Sequence, residues 1–263
     1  MVNPLISVVV PCHNASAWLD DCLRSVWEQK VNCEVIVVDD GSTDNTFERA
    51  KELTRHYASM SVVIYQGNQG AATARNTGLR MAQGKYICFL DADDEYIRGY
   101  FTAAIRILES DATLVAADCQ VELVNLHRQI EPWHVNVTAS SIPGNLIIRT
   151  EIARLIGGFP MSPAFRGRSA GEDLEFRKQL QRCGNMARIE QKFYKYRVQP
   201  GSHFDFFIDR AVNEQGQRQV KVRSQEEMNG SYAQALRQYE DDVRQRHIAD
   251  VAGKLHASVS ASP

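Results

Sequence analysis

The chain has 263 residues, 44% of them hydrophobic and 24% charged, the balance of a soluble globular protein with room for one large α/β domain and an appendage. A net charge of −2 sets up no global field to gather nucleic acid or an acidic membrane surface. The apolar runs are strand-sized and the N-terminus lacks a basic stretch followed by a long apolar one, so neither a membrane span nor a secretory signal is expected and the chain reads as cytoplasmic.

Residues 5–10 are rich in β-branched side chains and predict a strand that stops at Pro11. Asn14 or Ser16 can then cap a helix carrying Trp18, Leu19, Cys22, Leu23 and Val26 at helical spacing. Residues 34–38 form a second buried strand ending at Asp39-Asp40-Gly41-Ser42, and a helix follows with Phe47, Ala50, Thr54 and Tyr57 on one face. A third strand covers 61–65, a third helix 71–82 and a fourth strand 85–90. Further on, 114–124 reads as one or two strands, 141–149 as a loop and strand, and 151–156 as a short helix ended by Gly157-Gly158. Residues 172–183 predict a helix burying Leu174, Phe176 and Leu180 and ended by Gly184. Strand character returns over 192–198. From Phe204 the composition turns polar, with Leu236, Tyr239, Val243, Ile248, Val251 and Leu255 suggesting helices and 257–263 a frayed tail.

Near-continuous apolar strands alternating with amphipathic helices imply an α/β fold with a mostly parallel central sheet covered on both faces. The six cysteines are scattered without a C-x-x-C pair, so reduced core thiols are expected rather than disulfides or zinc.

In such sheets ligands bind beyond the carboxyl ends of the strands. Three polar clusters fall there: Pro11-Cys-His-Asn14, Asp39-Asp-Gly-Ser42 and Asp91-Ala-Asp-Asp94. The last puts three carboxylates at the mouth of a buried strand, where a hydrated divalent cation or a solvated turn would compensate them. Asp39 and Asp40 either cap the next helix together with Ser42 and Asp44, or present a carboxylate to the donors of a nucleotide. Gly67-Asn-Gln-Gly70 leads into a small-residue helix in which Arg75 can neutralise a carboxylate or a phosphate. Neither G-x-G-x-x-G nor G-K-[ST] is present. Glu172 and Asp173 open a helix, either as dipole-complementing acids or with one of them as a general base. His203 sits in a turn, as surface chemistry, a metal ligand or a phosphate contact.

Together these segments resemble the family-2 glycosyltransferases, inverting enzymes of the A-type glycosyltransferase fold. The matching text is Ile6-Ser-Val-Val-Val-Pro-Cys-His-Asn14, Val35-Ile-Val-Val-Asp-Asp-Gly-Ser-Thr-Asp44, Asn68-Gln-Gly-Ala-Ala-Thr-Ala-Arg-Asn-Thr-Gly78 and Ala82-Gln-Gly-Lys-Tyr-Ile-Cys-Phe-Leu-Asp-Ala-Asp-Asp94. Gly157-Gly-Phe159 and Gly171-Glu-Asp-Leu-Glu-Phe-Arg177 follow in order, so the likeness spans roughly 5–203.

The resemblance implies a sugar-nucleotide half over 1–110, an acceptor half of the same domain over 111–203, and a polar, helical extension over 204–263. It implies that Pro11, His13 and Asn14 lie against base and ribose, with Asp39 reading the base and Arg75 beneath the pocket. Asp91, Ala92 and Asp93 would form the Asp-x-Asp segment, Asp93 holding Mn²⁺ or Mg²⁺ with Asp91 beside it and His203 closing over the metal or diphosphate. Asp173 would be the base and Glu172 an acceptor contact. The donor would be a nucleotide sugar, UDP-linked by family habit. The acceptor could be a saccharide, a lipid-linked oligosaccharide, a protein or a small molecule, and a lipid-linked one would bring the chain transiently to a membrane surface. His13 departs from the family's more frequent tyrosine, and 119–143 matches nothing in it. A silent sugar-nucleotide binder, a scaffold and a nucleotidyltransferase are the competing readings. The C-terminal helices suit a solvated cover or a homodimer seam.

Overall fold

A computed structural model describes residues 4–55, 61–165, 171–214, 217–220 and 230–260. Its first half alternates strand and helix: β1 (Ile6–Cys12), α1 (Leu19–Trp27), β2 (Cys33–Asp40), α2 (Thr46–Thr54), β3 (Ser61–Gln66), α3 (Ala71–Met81) and β4 (Tyr86–Phe89). The second half carries β5 (Glu95–Tyr96), α4 (Tyr100–Ser110), β6 (Leu114–Val124), α5 (Pro132–Ser141), β7 (Leu146–Arg149), α6 (Thr150–Leu155), α7 (Glu172–Cys183) and β8 (Asn185–Arg197). It ends in α8 (His203–Arg210), a small hairpin of β9 (Ala211–Glu214) and β10 (Gln217–Val220), and α9 (Ser231–Ser260).

Eight strands form one sheet in the order β3-β2-β1-β4-β7-β6-β8-β5. The pairings β1–β2, β2–β3 and β1–β4 are parallel. The expectation of a mostly parallel sheet holds for this half. Beyond it the sheet is mixed: β7 runs antiparallel to both β4 and β6, β6–β8 is parallel, and β5 is antiparallel to β8. The strand–helix alternation that enforces parallel crossovers breaks after β4, so the chain is free to reverse.

The first strand does not stop at Pro11. It runs to Cys12, and the reason is in the register. Pro11 pairs with Val38 of β2, whereas β4 on the other side reaches only as far as Val9. Past Val9 one edge of β1 is unpaired, and a residue without an N–H is tolerated there.

Side-chain alternation along β1 divides the core. Val8 and Val10 face α1 and α4, packing with Leu19, Leu23, Tyr100 and Leu108. Val9 faces the opposite layer with Ala74 and Leu79 of α3, Phe176 and Leu180 of α7, and Tyr239 and Val243 of α9. Period-two burial on a two-sided sheet gives this result directly. The long helix α9 is docked by Tyr239 Oη donating to the Gly158 carbonyl (2.7 Å), Arg246 donating to the Ile156 carbonyl (3.1 Å), and an Arg182–Glu240 pair (2.8 Å). It is helical through Ser260, so the tail expected to fray from 257 is wound almost to the end of the chain.

Other local expectations are also revised. Neither Asn14 nor Ser16 caps α1, whose N-cap is Trp18. Asn14 instead turns its Oδ1 to the backbone N–H groups of Thr43 (2.8 Å) and Asp44 (3.3 Å), tying the β1 and β2 ends together. Its φ of 52° is a left-handed value that asparagine tolerates. Leu174 is half-buried, while Phe176 and Leu180 are fully buried as expected. Tyr57 lies outside the described residues. The cysteines are free thiols, five of them buried. Among the described residues no helix is long and apolar enough to cross a membrane.

Candidate functional site

The carboxyl ends of β1, β2 and β4 open onto a cleft of about 980 Å³. Pro11, His13, Asn14, Arg75, Asp91, Ala92, Asp93, Glu172, Asp173 and His203 all line it. Segments up to 192 residues apart in sequence, His203 minus Pro11, meet at one place. Asp39 is the predicted residue that does not line the cleft. It is fully buried, one carboxylate oxygen accepting from the Ser42 N–H (2.8 Å) and the other without a hydrogen-bond partner among the described residues. Its neighbour Asp40 lines the cleft and works as a bracket, accepting from the backbone N–H of Gln69 (2.9 Å) and Gly70 (2.7 Å) and from Gln66 Nε2 (2.7 Å). That bracket fixes the Gly-rich turn at the start of α3. His13 is held from behind, its Nδ1 3.0 Å from the Asp40 carbonyl.

Arg75 is the centre of the site. Its guanidinium is 4% exposed and forks, Nη2 to Asp91 Oδ1 and Nη1 to Asp173 Oδ1, each at 2.7 Å. The residues that hold it can be traced in order. Gly78 lets α3 lie against β1, since a Cβ there would fall 2.3 Å from Val9 Cγ1. Next to Arg75, Asn76 exchanges two 2.8 Å hydrogen bonds with the backbone of Phe159, just past the left-handed pair Gly157-Gly158. The Phe159 ring then lies under the guanidinium, 5.2 Å away, and stacks on Phe176 of α7 with centroids 4.0 Å apart. Phe89 of β4 closes the group edge-on at 4.9 Å and 5.8 Å. One aromatic cluster thus sets the positions of α3, of the strand before Asp91 and of the helix that starts at Asp173.

Burial works against the Arg75 charge, but Asp173 and Asp91 outweigh it, and its pKa rises. Burial pushes the Asp173 carboxyl up to about 7. Arg75 opposes that shift while Glu172 and Asp91 add to it. The carboxylate keeps 30% of its exposure, so it remains open to a ligand.

The Asp-x-Asp segment is built to different ends at each position. Asp93 takes a 2.6 Å hydrogen bond from Gln199 Nε2, and burial followed by Asp91 raises its pKa. Asp94 is structural: it accepts from Tyr194 Oη (2.6 Å) and the Arg197 N–H (2.7 Å), and burial raises its pKa far above the usual carboxylate range. Among the described residues no three His, Cys, Asp or Glu side chains converge on one point. His203 is exposed at the start of α8, so the expected trio of Asp91, Asp93 and His203 does not form a closed metal site. The oxygen donors of Asp91 and Asp93 do suit a hard divalent cation of the kind that takes one or two carboxylates and completes its shell with phosphate and water. Acids crowded together at a strand end also present the negative charge such an ion neutralises, so the residues fit Mn²⁺ or Mg²⁺.

Several lining residues escaped the sequence reading. Gln199, Tyr196 and Phe207 come from β8, α8 and the turn between them, and Thr138 and Ile142 come from α5 and its end. Pro132 directly after Glu131 was a readable helix start for α5, since proline favours the first helical turn. Gln199 carried no local signal, because its role depends on contact with a residue 106 positions away.

A family model described as Glycosyl transferase family 2 matches residues 7–170. YibD of Escherichia coli (strain K12), described as an uncharacterized glycosyltransferase, is 40% identical over 119 residues, 44% of this chain and 34% of its own. The glycosyltransferase GlyG of Streptococcus pneumoniae serotype 4 is 27% identical over 226 residues, 76% of this chain and 73% of its own. The chain spans a little over a third of the first curated relatives it matches, 34% and 38% of their lengths. Among solved structures, TarS 1-349 of S. aureus in complex with UDP-GlcNAc aligns with a TM-score of 0.63 at 20% identity, covering 93% of this chain and 72% of that one. The mannosyltransferase PcManGT of Pyrobaculum calidifontis, in complex with GDP-Man and Mn²⁺, aligns at 0.62 and 18% identity, covering 100% and 77%. At these identities the likeness is one of fold.

Proposed function

The chain belongs to glycosyl transferase family 2, and from that premise we propose that it moves a sugar from a nucleoside-diphosphate sugar, UDP-linked, to an acceptor hydroxyl with inversion at the anomeric carbon. The observation that carries this reading is the Arg75 fork. It binds Asp91 of the donor end and Asp173 of the acceptor end to one guanidinium at 2.7 Å each, so a base and a diphosphate-binding segment share one cleft in fixed relation. The nucleotidyltransferase alternative falls with the family assignment.

Asp173 takes the proton of the acceptor hydroxyl as that oxygen attacks the anomeric carbon. The new C–O bond forms on the face opposite the departing nucleotide, the bond to the diphosphate breaks, and the proton stays on the Asp173 carboxyl. One displacement inverts the centre and needs no covalent sugar–enzyme intermediate. The anomeric carbon carries oxocarbenium character on the way, as in glycoside hydrolysis. Asp93, with Asp91 beside it, would hold the divalent cation, which when bound supplies Lewis-acid stabilisation for the charge developing on the diphosphate. Pro11, His13 and Asn14 flank base and ribose. The unpartnered, buried oxygen of Asp39 supports a role in accepting a base N–H, once the side chains covering it give way. Glu172 contacts the acceptor.

The test is a thermal-shift screen of UDP, GDP, CDP, dTDP and their sugar conjugates, with Mn²⁺, Mg²⁺ or EDTA. A ligand that prefers the native state raises its stability by mass action, about 2.7 kcal/mol at a hundred times Kd. Metal-dependent stabilisation by UDP and a UDP-sugar is the expected result. No shift with any donor at millimolar concentration would turn the reading towards a silent copy of the fold.

A further inference from the structure

Resting on the transferase reading, we propose that the acceptor is an uncharged saccharide, held by the apolar face of a pyranose ring on an aromatic shelf near Asp173. Tyr196 at the end of β8 lies 6.0 Å, centroid to centroid, from Phe204 in the first turn of α8. Phe204 lies 6.4 Å from Phe207, which in turn meets His134 of α5 edge-on at 6.3 Å. Phe204 is buried and supports the other two rings, which are half-buried and line the cleft. Aromatic faces carry partial negative charge, and the C–H groups on one side of a sugar ring meet them favourably.

Hydroxyls are interleaved with these rings, as sugar edges demand and an alkyl chain does not. Thr138 Oγ1 donates to the His134 carbonyl (2.9 Å) and Ser141 Oγ to the Thr138 carbonyl (3.1 Å). Each proton is therefore committed, and the oxygen lone pairs are left to accept from a ligand hydroxyl. Ser202 Oγ, also on the cleft, is buried without a hydrogen-bond partner among the described residues.

Charge sets the rest of the class. Carboxylates at Asp40, Asp91, Asp93, Asp94, Glu172 and Asp173 line the cleft, against Arg75 as its sole lysine or arginine among the described residues. Arg75 is already shared between two of those acids. Arg128, in the neighbouring hollow, is tied to Asp209 at 2.8 Å and to Asp205 at 3.5 Å. A phosphate- or carboxylate-bearing acceptor approaching Asp173 would meet like charge with no cation to receive it, and such contacts discriminate strongly in a partly dehydrated cleft.

Saturation-transfer NMR on the full chain tests this without needing a donor. The probes are neutral disaccharides (cellobiose, maltose, lactose and N,N′-diacetylchitobiose), each compared with a sugar 6-phosphate and a uronate, and with a short alkyl chain. The expected result is ring C–H saturation from at least one neutral sugar, with the anionic forms at least about tenfold weaker and gaining on them as salt screens the repulsion. Phe207→Ala should weaken the neutral signal about tenfold. Phe207→Leu, which keeps the apolar bulk, should weaken it similarly, separating loss of the ring from loss of the fold. Equal or stronger binding of the anionic sugars, preference for the alkyl chain, or no binding by any neutral sugar overturns the proposal. Sugar binding by a protein that ignores every nucleotide sugar would instead overturn the transferase reading and leave the saccharide site standing.

Discussion

Arg75 and Asp173, 98 residues apart, share a 2.7 Å ion pair, and the same guanidinium reaches Asp91 at the same distance. The planar fork makes both contacts at once, whereas a lysine is a point charge that can serve one well. Arg75→Lys is therefore expected to lower transfer at least tenfold while the protein still folds. Arg75→Ala should lower unfolding free energy by about 3 kcal/mol, the low end for breaking a buried pair, because the two acids keep 32% and 30% exposure. Single-turnover rates and urea melts check the two halves. A Lys variant at full rate would show that the fork is not needed.

Asp173→Asn removes the base and keeps the shape. Transfer should fall below detection, while nucleotide binding in a thermal-shift titration stays within about threefold, since an interaction made only in the transition state affects kcat rather than binding. Retained transfer would take the base role from Asp173.

The same carboxyl sets a pH dependence. Burial above all pushes its pKa up to about 7. The working form is the charged one, so activity is lost as pH falls through that value, and kcat/KM should drop about tenfold per unit below it. Glu172 adds to the upward shift by like-charge repulsion. Glu172→Gln should therefore move the acidic limb to lower pH, whatever it does to acceptor affinity. A limb that stays put in Glu172→Gln, or one near pH 4 in the unaltered protein, would contradict this account.

The sheet's first half was legible because each β-branched run alternates with a helix and ends in polar residues, which is local information. Arg75 could be singled out because a guanidinium in a small-residue helix is chemically odd. Its two partners could not, since they are fixed by the Phe89–Phe159–Phe176 cluster, a contact between β4, the α6–α7 segment and α7. The mixed half was harder because β7 is four residues long and antiparallel, too short for a period to show. Asp94 looked like part of the donor segment, yet Tyr194 and Arg197 from β8 claim it. Neighbouring identical residues divide between chemistry and support according to partners that lie far along the chain.

Asp93 offers the separable test of the metal. Asp93→Ala should abolish the Mn²⁺-dependent part of nucleotide stabilisation, leaving the variant like the unaltered protein in EDTA. Because Asp93 also holds Gln199 at 2.6 Å, Gln199→Ala is the control for the lost hydrogen bond. It should keep most of the metal dependence. Equal loss in both variants would assign the effect to the turn after β8 rather than to a cation.

Gly78 carries the closest helix–sheet approach beneath Arg75. A Cβ at this position would lie 2.3 Å from Val9 Cγ1 and 2.7 Å from Cγ2, and Val9 is fully buried in β1. Alanine is the better helix former by about 1 kcal/mol, but overpacking a dense core costs about 1–3 kcal/mol. Gly78→Ala should thus destabilise by about 1 kcal/mol in urea melts and lower transfer more than that loss explains, because α3 would lift and draw Arg75 from its acids. Val9→Ala makes room for the added methyl, so the double variant should be more stable than the two single losses predict together. Strict additivity would show that the tight α3–β1 packing is not what seats Arg75.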